Sequence, residues 1–140
     1  MAVFTASAAQ ANAQAVYREN AVIQRTVVYA PSASASVGDV IQMVKVPSTA
    51  VVNEVRVAVS FSAGVVTANI GDGNDTSAYG ASVVLSGNAL VASGMTYRGV
   101  GRSYSAEDTI DLVVAGVSTP PANATYKLLV TYTCQNDPQG

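Results

Sequence analysis

Residues 51–61 read VVNEVRVAVSF. The odd positions carry Val51, Val55, Val57, Val59 and Phe61, interrupted by Asn53, while the even ones carry Glu54, Arg56, Ala58 and Ser60 after Val52. A period of two belongs to a strand with one dry face and one wet face. The same alternation sets Val66, Ala68 and Ile70 against Val65, Thr67 and Asn69, and Ile110, Leu112 and Val114 against Thr109, Asp111 and Val113. It also sets Leu128, Val130 and Tyr132 against Lys127, Leu129 and Thr131. One-sided strands argue against a parallel sheet, whose strands are apolar on both faces.

On the N-terminal side, 22–29 (VIQRTVVY) and 39–46 (DVIQMVKV) are less regular but rich in β-branched residues. Shorter strand candidates lie at 82–86 and 94–100. Turn signals separate these runs: Gly38-Asp39, Pro47-Ser48, Ser62-Ala63-Gly64, Gly71 to Gly73, Ser86-Gly87-Asn88, Ser93-Gly94 and Pro120-Pro121. Short strands at this spacing, without a strong helix, predict an all-β fold, an antiparallel β-sandwich of jelly-roll type. The expected organisation is an N-terminal arm over 1–20, a sandwich domain over 21–135 and a short tail over 136–140.

The arm is read from TASAAQANAQAV (5–16), an Ala, Ser and Gln stretch without an apolar face. It is expected to be extended and to lie on a neighbouring subunit through Val3, Phe4 and Tyr17, with simple terminal disorder as the alternative. Ala11-Asn12-Ala13 imitates a signal-peptide cleavage site, but no positive region or continuous apolar stretch accompanies it.

Across 140 residues, 49% are hydrophobic and only 11% are charged, less than half the roughly 25% of an ordinary soluble domain. A surface so poor in charge suits lasting contact with other protein, because interface cores are depleted of charged residues. The seven basic residues are dispersed and the net charge is −2, so no counterion-displacing patch for nucleic acid is visible. The longest apolar candidate, 50–61, is interrupted by Asn53, Glu54 and Arg56 and falls short of a membrane span. Cys134 is alone, which rules out an internal disulfide and fits synthesis in a reducing cytoplasm.

Three segments invite a chemical reading. The first is IGDGNDTSAYG (70–80). As a calcium loop starting at Asp72 it places Ser77 where a sharp-turn glycine belongs and Val83 where a bidentate glutamate belongs. As a phosphate loop it lacks the Gly-Lys-Ser/Thr ending. As a strand corner it needs nothing more, since Asp72, Asn74 and Asp75 can accept from nearby backbone N–H groups. It is expected to be an aspartate-rich rim turn presenting Tyr79 to a neighbour. The second is Glu107, Asp108 and Asp111, expected to be a solvated strand entry. With no histidine and no partner for Cys134, enzymatic activity is not expected, nor is a metal or cofactor. The third, YRGVGRSY (97–104), gathers Tyr97, Arg98, Arg102 and Tyr104, residue types enriched at protein interfaces. They are expected to be contacts with a partner protein or a second copy, on a rim loop. Sugar stacking on Tyr79, Tyr97 or Tyr104 is the lectin version of the same pattern.

Taken together, GDVIQMVKVPSTAVVNEVRVAVS (38–60), TANIGDGNDTSAYG (67–80), YSAEDTIDLVV (104–114) and KLLVTYTC (127–134) resemble the small decoration, or cement, proteins of tailed-bacteriophage capsids. The resemblance covers roughly residues 38–134 and rests on soft patterns. It implies a jelly-roll sandwich without cofactor or chemistry, made in the bacterial host cytoplasm. Such a protein binds the outside of a shell of major capsid protein and stiffens it against packaged DNA. It also implies lattice symmetry, for which a homodimer is expected over a trimer. No partner nucleic acid or membrane is expected. The alternative function is a carbohydrate- or receptor-binding β-sandwich.

Overall fold

The computed structural model describes residues 3–5, 22–31, 33–92 and 99–134. The elements are β1 (Val3–Thr5), β2 (Val22–Tyr29), β3 (Val40–Val46), β4 (Ala50–Gly71), β5 (Gly80–Ala92), β6 (Arg102–Ser103), β7 (Asp108–Ala122) and β8 (Thr125–Cys134). They form one curled, mixed, eight-stranded sheet in the order β1-β3-β7-β4-β8-β2, with β5 and β6 on the other side of β4. All the pairings are antiparallel except β1 on β3, which is parallel.

The 22-residue β4 is the spine. Along one side it takes β8 against Ala50 to Ser60 and then β7 against Ala63 to Gly71. Along the other it takes β5 over most of its length. Consecutive β7 and β8 therefore run end to end along β4 rather than pairing with each other. All three tracks break at the same level. Between Ser60↔Asn88 and Val65↔Ser86, residues 61–64 of β4 oppose Gly87 alone, and the β7–β8 joint lies opposite at Asn123. Each track has a left-handed residue there: Gly64 (φ 105), Gly87 (φ 56) and Asn123 (φ 49). These allow a sheet to crease without losing its ladders, as bulges do. The crease turns the apolar faces inward into one core, in which Val57, Ile70, Leu112, Leu128 and Tyr132 are fully buried.

Hydrogen bonds join strands across the crease. Asn123 Nδ2 donates to Ser62 Oγ (3.0 Å), Ser62 Oγ donates to the Ala122 carbonyl (3.1 Å), and Ser60 Oγ donates to Asn88 Oδ1 (2.8 Å). Phe61 packs edge-on to Tyr126 with ring centroids 5.4 Å apart.

The alternating runs at 66–70 and 128–132 take the expected faces. In 51–61 the register shifts between Val52 and Glu54, so Val52 joins Val55, Val57, Val59 and Phe61 inside while Val51 is only half-buried. Three of the expected turns are not turns: Ser62-Ala63-Gly64 and Ser86-Gly87-Asn88 lie within β4 and β5, and Pro120-Pro121 within β7. In each case a residue type that breaks a flat strand is used to bend one. Most of the 94–100 candidate lies outside the described residues, and Gly99-Val100 is a turn. The arm is described only at β1, which aligns Val3, Phe4 and Thr5 with Val40, Ile41 and Gln42 of its own chain.

Candidate functional site at the Asp72 corner

At the far end of β4 the chain turns through Asp72 to Tyr79 before entering β5. The turn is tight because Asp72 N–H donates to the Asp75 carbonyl (2.9 Å) and Tyr79 N–H to the Ile70 carbonyl (2.8 Å). A Cβ on Gly71 would collide with the backbone at Asp75 and Thr76, so only glycine fits there. The Asp72 side chain is inaccessible to solvent. Its Oδ1 accepts the N–H groups of Asn74 and Asp75, both at 2.9 Å, and Arg102 Nη2 at 3.0 Å. Its Oδ2 accepts Arg102 Nε (2.5 Å) and the Tyr104 hydroxyl (2.8 Å). Because the Tyr104 proton points at Asp72, the Tyr79 hydroxyl is the donor in the 2.5 Å contact between the two phenols.

Burial pushes the Asp72 carboxyl up, but the Arg102 and Tyr104 hydrogen bonds and the two backbone donors outweigh it and hold the group below the usual aspartate value. Burial raises both Tyr79 and Tyr104, so both phenols stay neutral. With five donors around it and a guanidinium as counter-ion, Asp72 has no lone pair directed at a ligand. The corner is a lock that ties β4, β6 and the residues after β6 together. Among the described residues no group of three metal-ligating side chains is found.

The neighbouring carboxylates divide in character. Glu107 is half-exposed and lies 3.6 Å from Lys45 Nζ. Asp108 receives the N–H groups of Thr109 (2.8 Å) and Gly73 (3.3 Å), fastening the corner to β7. Asp111, expected to be solvated, is instead 6% exposed, and its Oδ1 has no hydrogen-bond partner among the described residues. It stands opposite Gly71 in the β4 ladder and opposite Gln42 in the β3 ladder, enclosed between strands beside the corner. Burial first, then the charges of Asp108 and Asp72, push its carboxyl up to about 7, against the lowering effect of a Thr109 hydrogen bond.

Of the residues expected to make contacts, the structure brings Tyr79, Arg102 and Tyr104 together, but inward. Tyr79 is 0% and Tyr104 7% exposed, and the Arg102 side chain is largely covered. Tyr79 is thus a corner post rather than an exposed rim residue. Val3 is half-exposed and Phe4 partly buried at the sheet edge, whereas Tyr17, Tyr97 and Arg98 lie outside the described residues. The Asp72–Arg102 pair spans 30 residues and was not foreseen. The spacing of Arg102 and Tyr104 carried part of the signal, since residues two apart on extended chain face the same way. At the crease, a cleft of about 610 Å³ is lined by Pro31, Ser34, Pro120, Pro121, Asn123 and neighbouring small residues, none of them titratable.

No family model matches the chain, and no curated protein matches it. Two solved structures share its fold. A chain in the capsid of Ralstonia phage GP4 aligns with a TM-score of 0.69 and 20% identity, covering 97% of this chain and 99% of that one. A chain in the capsid asymmetric unit of cyanophage Pam1 aligns with a TM-score of 0.61 and 18% identity, covering 89% and 94% respectively. Coverage so nearly complete on both sides means that chains of about this size share the whole architecture. In fold, the protein is similar to components of two phage capsids.

Proposed function

We propose that this is a non-enzymatic structural protein of a bacteriophage virion. It binds the outer surface of the capsid as a decoration, or cement, protein and stabilises contacts between major capsid protein subunits. The end-to-end alignment with a chain of the Ralstonia phage GP4 capsid carries this reading. The physical character of the molecule supports it. A surface with so few charges favours lasting protein contact, and the Asp72, Arg102, Tyr104 and Tyr79 side chains bond to one another within the chain. Avidity over a repeating lattice makes many weak contacts sufficient. Capsid contact is assigned to the N-terminal arm, with Val3, Phe4 and Tyr17, and to Tyr97 and Arg98 before β6. Purified protein is expected to co-sediment with shells of its own phage's major capsid protein and to raise their resistance to heat. Failure to do either would remove the proposal, and selective binding to a glycan array would favour the carbohydrate-binding alternative.

A further inference from the structure

Four strands of the folded sheet have one side unpaired among the described residues: β1, β2, β5 and β6. Open edges invite pairing with other chains, and proteins guard them with short length, charge or proline. Edge β1 is three residues long and edge β6 two. Edge β2 carries Arg25, half-buried, with its Nη1 enclosed, an inward charge of the kind that discourages a second strand. Edge β5 is different: its thirteen residues, GASVVLSGNALVA, include no charge and no proline. Its Val84 is 57% exposed. Left-handed Ser82 (φ 52) and Gly87 (φ 56) delimit a regular run, Val83 to Ser86, that stays in register with β4.

We propose that the open side of β5 is a self-association surface on which β5 of a second copy pairs antiparallel, with Val84 opposite Val84. In an isologous pair related by a two-fold axis normal to the sheet, facing residues must share a face, so a residue of the run faces itself. Centring on Val84 matches Val83 with Leu85 on the core side and covers the exposed valine with its own copy on the outer side. Centring on Leu85 would cover little, since that side chain is already buried. The electrostatics fit a second copy: pairing like with like opposes identical charges wherever a strand has them, and this one has none. This surface supplies the self-contact of the proposed virion role; it is tested by oligomeric state, whereas that role is tested by shell binding.

The test uses the full chain. Light scattering after gel filtration should give twice the 14.2 kDa chain mass for wild type and the single mass for Val84→Lys, with unchanged far-ultraviolet dichroism. Facing Cα atoms are about 4.5–5.5 Å apart, within disulfide range. Val84→Cys should therefore form a covalent dimer under mild oxidation, insensitive to dilution, while Val28→Cys on β2, similarly exposed, should not. A monomeric wild type, a Val84→Lys dimer, or no more cross-linking at 84 than at 28 would overturn the proposal. A monomer whose shell binding is abolished by Val84→Lys would also overturn it, reassigning the edge to a capsid-protein strand.

Discussion

Asp72 shows how one side chain can take up the polar groups of an entire corner. Removing it leaves the Arg102 guanidinium and the Tyr104 hydroxyl facing each other without their acceptor. Asp72→Ala should cost about 3 kcal/mol or more, the range for breaking a buried pair from one side, and urea titration would measure it. Tyr79→Phe removes only the outermost link and should cost about 1 kcal/mol. Because every Asp72 lone pair is engaged within the chain, chelators should leave the melting temperature unchanged. Asp111 behaves in the opposite sense. Its folded value of about 7 lies above the unfolded value, so between these two the folded protein holds a proton that the unfolded chain has released. Stability should therefore fall as pH rises from about 4 to 7 and then level off. Asp111→Asn should flatten that slope and raise the melting temperature at pH 8, readable by calorimetry at several pH values. The aspartate-rich turn was legible in 70–80 from its glycines and short acceptor side chains. The inward direction of its aromatic partner was not, because the burial of Tyr79 depends on Arg102 and Tyr104 arriving 30 and 32 residues after Asp72.

At the level of elements, the crease matters more than any single strand. Strand identity could be read in 66–70 and 128–132 because one face is buried and one is not, so period two survives in the sequence. Strand length could not be read at Gly64, Gly87 or Pro120-Pro121, where the same residues mark a turn between strands or a bend within one. The tertiary choice depends on whether the ladder continues on the far side. Gly64 tests this reading most sharply, since its φ is left-handed and an added Cβ would lie 2.5 Å from the Pro120 carbonyl oxygen and from Pro121 Cα. Backbone cannot step aside as a side chain does, so Gly64→Ala should cost about 3 kcal/mol or more. Thermal denaturation followed by dichroism would show it, and a neutral result would mean that β4 does not crease there.

The whole molecule reads as a low-charge folded sheet suited to being one part of a larger surface. Deleting residues 1–20 should weaken shell binding by about tenfold or more, through lost avidity, while the β dichroism persists because the core lies in residues from β2 onward. Undiminished binding would relieve the arm of its proposed role. A cryo-EM reconstruction of shells of the phage's major capsid protein, incubated with the protein, would locate it on the particle. Ordered density of this fold is expected on the outer surface, bridging adjacent capsid subunits and absent from shells without the protein. Density on the inner surface only, or none at saturating protein, would overturn the outer-surface role.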